Sequence, residues 1–87
     1  MGSKEFVEKA KSIVFGYVNE RLDVTDDVKF TDDDVYVVWL SKTLQNSKAL
    51  LSTTLPDGMY YEVTLNGDKK EIYLDAYKKV QNLVYRA

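Results

Sequence analysis

The sequence predicts a two-layer α+β fold of order α-β-β-β-β-α, with N- and C-terminal helices packed on one face of a four-stranded antiparallel meander. Three observations predict it. Apolar residues recur at helical spacing from Phe6 to Val18. β-branched and aromatic residues dominate from Val35 onward. Turn signals punctuate that second region at Gln45-Asn46, Pro56-Asp57-Gly58 and Asn66-Gly67,. With 87 residues, 45% of them hydrophobic, the chain is expected to form one small domain around a modest core. Met1 and Gly2 are given no functional weight.

The first helix is expected over Ser3 to about Leu22. Phe6, Val7, Ala10, Ile13, Val14, Tyr17 and Val18 share one stripe,. Ser3 suits the N-cap, and Glu5 and Glu8 complement the helix dipole,. Two residues fit less well. Gly16 costs about 1 kcal/mol against Ala in a helix interior and marks a close backbone approach. Phe15 points away from the stripe, as an exposed residue or an oligomer contact.

Next comes a joint crowded with Asp23, Asp26, Asp27, Asp32, Asp33 and Asp34. A calcium loop of the EF-hand kind needs fixed ligand offsets, a central Gly and a closing Glu, and this segment has none of them. Asp and Thr cap and turn the backbone, so a solvated capping joint is expected. An acidic docking surface and a weak cation site over residues 23–34 are the alternatives.

The strands are expected at Val35–Thr43, Lys48–Leu55, Met59–Leu65 and Asp68–Leu74. The rival for the first is a helix over Thr31–Leu44, disfavoured by the run Val35-Tyr36-Val37-Val38-Trp39,. Two-residue turns at Gln45-Asn46 and Asn66-Gly67, with a three-residue turn at Pro56–Gly58, fix a register. One face then collects Tyr36, Val38, Leu40, Ala49, Leu51, Leu55, Met59, Tyr61, Val63, Leu65, Ile72 and Leu74. The other collects Val37, Trp39, Ser41, Leu50, Ser52, Thr54, Tyr60, Glu62, Thr64, Glu71 and Tyr73. Asp75 then caps a last helix with Ala76, Tyr77, Val80, Leu83 and Val84 as its stripe.

Composition narrows the chemistry. Cysteine and histidine are both absent, which excludes disulfide scaffolds, thiolate or imidazole metal sites and histidine-based triads. The four glycines are scattered and none opens a predicted helix, so no phosphate loop is built,. Ser41, Ser47 and Ser52 lie near Lys42 and Lys48, but strand neighbours point to opposite faces. Glu62 and Glu71 fall opposite each other in the expected register, and a solvated like-charge pair is the commoner meaning of that arrangement. No catalytic residue, cofactor or metal ligand is expected, and the protein is read as a non-enzyme.

Charge divides unevenly. Residues 1–34 carry five basic and nine acidic side chains, and residues 35–87 carry seven and five. Neither part announces polyanion binding. No apolar run approaches the ~18 residues of a spanning helix, and no signal-peptide pattern follows Met1. The informative feature is the outer sheet face, which neither helix covers. Trp39, Tyr60 and Tyr73 are the candidate contact residues there, for a protein partner or for self-association. Aromatics on a sheet also stack bases, but Glu62 and Glu71 repel a phosphate backbone.

The stretches Asp33 to Trp39, Ser41 to Asn46, Pro56 to Thr64, Asn66 to Lys70 and Leu74 to Lys79 resemble a family of small uncharacterised proteins encoded by phages, prophages and integrative elements of Gram-positive bacteria. The resemblance covers roughly residues 33–80. It implies an accessory role for a mobile element in a bacterial cytoplasm, and it transfers no site residue. The element order also resembles the double-stranded-RNA-binding fold, with Lys78-Lys79 similar to its phosphate-gripping lysines. A fourth strand, an acidic first segment and the lack of a Gly-Pro-x-His loop depart from that pattern. A nucleic-acid-binding module is therefore the alternative reading.

Overall fold

The computed structural model describes residues 1–22 and 29–87. Among them stand one α-helix, α1 (Ser3–Arg21), a short 3₁₀ turn (Asp32–Asp34), and strands β1 (Val35–Thr43), β2 (Asn46–Thr53), β3 (Met59–Asn66) and β4 (Glu71–Lys78). The strands form an antiparallel sheet in chain order. This is α+β architecture, and the meander matches expectation. So does the strand at Val35–Thr43, where the rival helix fails.

The first helix buries Phe6, Ala10, Val14 and Val18, four members of the expected stripe, against Val35, Ala49, Leu51, Tyr61, Val63 and Leu65 of the sheet. Gly2, not Ser3, is its N-cap residue. The Gly2 carbonyl accepts from the Phe6 N–H at 2.9 Å, and Lys42 Nζ donates to the Met1 carbonyl at 3.4 Å. The first two residues therefore do contribute contacts. Phe15 is not left bare: it stacks on Phe30 with centroids 5.5 Å apart and planes 6° from parallel. Among the described residues nothing lies within 4 Å of where a Gly16 Cβ would stand, so the expected backbone approach is not found there.

The predicted C-terminal helix is absent, and the reason lies in a turn. Asn66-Gly67 does not make a two-residue hairpin. Asn66 pairs with Glu71 across a four-residue loop, in which Lys70 takes the left-handed conformation at φ 55°. The longer loop starts β4 three residues later than expected. The eight residues of β3 then take partners as far as Lys78, and Met59 pairs with Lys78. That pairing consumes Asp75 to Lys78, the first turn of the expected helix. The nine residues left are too few to hold a helix on propensity alone, and residues 79–87 carry no regular secondary structure. A Cβ at Gly67 would collide with the Gln45 carbonyl, so close approach of the two loops is what requires glycine there.

The inner face needs a second correction. Val37 pairs with Leu51 but Trp39 pairs with Leu50, so Val38 is the extra residue of a β-bulge,. One unpaired residue reverses the faces of everything before it. Val35 is therefore 1% exposed and joins the core, while Tyr36, expected inside, is 46% exposed. Val37 moves to the core side, and Val38 is exposed. Leu40 lies on the inner side by its pairing with Ala49, yet remains exposed on the edge strand. The β1–β2 turn is Leu44-Gln45, one residue earlier than expected, with Leu44 at φ 55°.

Candidate functional site

The bulge and the longer β4 rebuild the outer face in cross-strand rows. Tyr36, Ser52, Tyr60 and Tyr77 form one row, and Trp39, Leu50, Glu62 and Asp75 the next. Ser41, Lys48, Thr64 and Tyr73 form the third. The first helix packs on the other side, chiefly over β1 and β2. Where the first two rows adjoin, Trp39, Leu50, Tyr60 and Tyr77 line an open concavity of about 430 Å³, rimmed by Glu62, Lys78 and Lys79.

Of the three predicted contact residues, the structure brings Trp39 and Tyr60 together and leaves Tyr73 apart. The Tyr73 hydroxyl donates to Glu71 Oε2 at 2.7 Å, and that bond pushes the phenol pKa up. Tyr77, expected on a helix, takes the place beside Tyr60. A signal for it was present. Ile72, Leu74 and Ala76 alternate with Tyr73, Asp75 and Tyr77 in strand period through Lys78.

Glu62 and Glu71 are not opposed. Glu62 faces Asp75 across the strands and pairs with Lys48 Nζ at 3.4 Å. The ion pair holds the Glu62 carboxylate beside Leu50, and no acid–base dyad is assembled from the predicted pair. Ser47 is buried, and the Ser52 hydroxyl donates to the Met59 carbonyl at 2.8 Å. Both serines are part of the sheet's framework.

Asp23, Asp26 and Asp27 of the acidic joint lie outside the described residues. Asp34 acts as a cap: its Oδ2 accepts from the Thr31 N–H at 2.9 Å and from the Thr31 hydroxyl at 3.3 Å. The backbone N–H bond, aided by hydroxyls of Thr54 and Thr31 and partly opposed by desolvation, lowers the Asp34 pKa. Among the described residues no three acidic side chains converge as a cation site. On the inner side, burial and then the Asp57 carboxylate push the Tyr61 phenol up; its ring meets Tyr17 edge-on at 5.7 Å. No helix among the described residues is long and apolar enough to cross a membrane.

The model of DUF6275, a family of unknown function, matches residues 7–87. The chain belongs to that family. The match takes in α1 from its second turn, the whole sheet and the segment after β4, so the DUF6275 unit contains both the core and the aromatic concavity. Among curated proteins and among solved structures, nothing matches the chain.

Proposed function

We propose that this DUF6275 protein is a non-catalytic binding module that holds another protein on the outer face of its sheet, in the mobile-element setting that the sequence resemblance implies. The observation that carries the reading is the concavity lined by Trp39, Leu50, Tyr60 and Tyr77 on the face away from α1. Aromatic side chains supply large contact area at low entropic cost and dominate interface hot spots. The rim divides by sign, with Glu62 and Asp75 in the row of Trp39 and Lys78 and Lys79 beside Tyr77. A protein surface that offers an apolar side chain flanked by both charges fits that rim. A phosphate backbone does not, because the two carboxylates sit in the aromatic rows.

The test is affinity capture from a Gram-positive bacterial lysate with the wild-type chain and with a Trp39→Ala, Tyr60→Ala double variant. A protein retained by the wild type and lost by the folded double variant supports the reading. Equal recovery by both reduces the face to ordinary surface. Tight, salt-sensitive binding of an oligonucleotide by the wild type would favour the nucleic-acid module instead.

A further inference from the structure

Two features outside the aromatic concavity have no partner among the described residues, and they belong to the same edge of the molecule. The first is the edge of β4. The other edge strand, β1, is interrupted by the bulge at Val38, which is a usual protection against strand addition. The last strand carries Glu71, Asp75 and Lys78 but no bulge: its eight residues pair without interruption on one side and present an unbroken row of backbone groups on the other. The second is the segment after it. Val80, Leu83, Val84 and Tyr85 are 94%, 58%, 87% and 82% exposed. The radius of gyration is 14.4 Å, against about 12 Å for a compact chain of this length.

We propose that the protein forms a two-fold dimer in which β4 pairs antiparallel with β4 of a second copy and each C-terminal segment packs on its partner's inner face. Within the paired span, overlap length and charge favour one register. Equivalent inner faces must lie on the same side of a continuous sheet, so partner numbers must share parity. Centring the axis on Tyr73 sets Glu71 against Asp75, and centring it on Asp75 sets that carboxylate against itself; like charges directly opposite are unfavourable. Centring it on Leu74 sets Leu74 against Leu74 and Ile72 against Ala76 on the inner face. Tyr73 then meets Asp75 and Glu71 meets Tyr77 on the outer face. That register pairs residues 71–77 and brings Lys78 of one copy alongside Lys70, the loop residue just before β4, in the other, so the strand pairing ends there. The segment beyond it therefore emerges over the β3–β4 loop, where Met1, Leu44, Leu65 and Ile72, flanked by Lys42, Gln45 and Lys70, line a groove of about 520 Å³. Its apolar part can take the aliphatic side chains of Val80, Leu83 and Val84, with the lysines at its rim.

Sedimentation velocity on the full chain tests the proposal, with far-UV circular dichroism confirming that each variant folds. The wild type is expected to be dimeric at micromolar concentration. Ala76→Lys, at an exposed edge position, and a Leu83→Lys, Val84→Lys double variant are each expected to weaken the dimer about tenfold or more. Because the chain has no cysteine, Leu74→Cys is expected to cross-link under mild oxidation and Asp75→Cys is not. A monomeric wild type overturns the proposal, as does a dimer that both lysine variants leave intact. A dimer lost only in the Trp39→Ala, Tyr60→Ala variant overturns it too, and moves self-association to the outer face.

Discussion

The inner and outer faces of this sheet are drawn from the same alternating strands, but the inner face is mostly aliphatic and the outer face interleaves aromatic with polar and charged side chains. They differ also in closure. On the inner face Phe6, Ala10, Val14 and Val18 of the helix interlock with Ala49, Leu51, Tyr61 and Val63, all buried. On the outer face Trp39, Tyr60 and Tyr77 stand beside one another around an open hollow. Large aromatic side chains stand on both faces, and burial divides those that hold the fold from those that face solvent. The largest expected effect tests that division. Leu51→Ala leaves a cavity under the helix and is expected to cost about 2–5 kcal/mol. Trp39→Ala, though it removes more atoms, is expected to cost about 1 kcal/mol or less, the scale of a cross-strand pair. Urea unfolding of the two variants measures both. Equal losses would erase the distinction between the faces.

A smaller effect sharpens where the division runs along β1. Val35 and Tyr36 exchange the faces that simple alternation gives them because Val38 is unpaired. Val35→Ala is expected to cost about 1.5–3 kcal/mol, the burial of one valine side chain, whereas Tyr36→Ala is expected to be close to neutral. The reverse order would mean that the bulge is not present in solution.

These two residues also explain how far the sequence is legible. Helix α1, the number and order of strands, and the faces of β2 and β3 follow from periodicity and from turn residues, because each is set by a local rule. Where the structure departs from the sequence reading, a small change in residue count is responsible: one extra residue at the bulge and two at the β3–β4 loop. At Val38 the alternation carries no mark of a bulge, since every residue from Val35 to Trp39 is apolar. At Asn66-Gly67 the strongest hairpin dipeptide was overruled by a four-residue loop whose glycine is needed for the approach of Gln45, not for a positive φ. That one loop moved Tyr77 from a helix into the candidate site and freed the C-terminal segment. That Trp39 and Tyr60 share the outer face is legible, because alternation gives the right face at both positions. Tyr73 was assigned to the right face, but the register moved it to a different row.

The smallest effect concerns what anchors the start of β1, and hence the exchange of Val35 and Tyr36. The carbonyl of Asp34 accepts from the Thr54 N–H at 3.0 Å, tying the 3₁₀ turn to the end of β2, while its carboxylate caps Thr31 at 2.9 Å. The cap lowers the Asp34 pKa in the folded chain. A depressed carboxyl pKa contributes stability that is fully present above the unfolded value and is lost as pH falls through the folded one. Asp34→Asn keeps a side-chain acceptor but removes the charge. The wild type is therefore expected to melt slightly above Asp34→Asn at neutral pH, and the gap is expected to close as pH falls below the ordinary carboxylate range. Thermal melts of both proteins across that range provide the measurement. A gap that persists unchanged in acid would mean that the ionised carboxylate is not what holds the turn. The face reversal in β1 would then rest on the bulge and the buried Val35 alone.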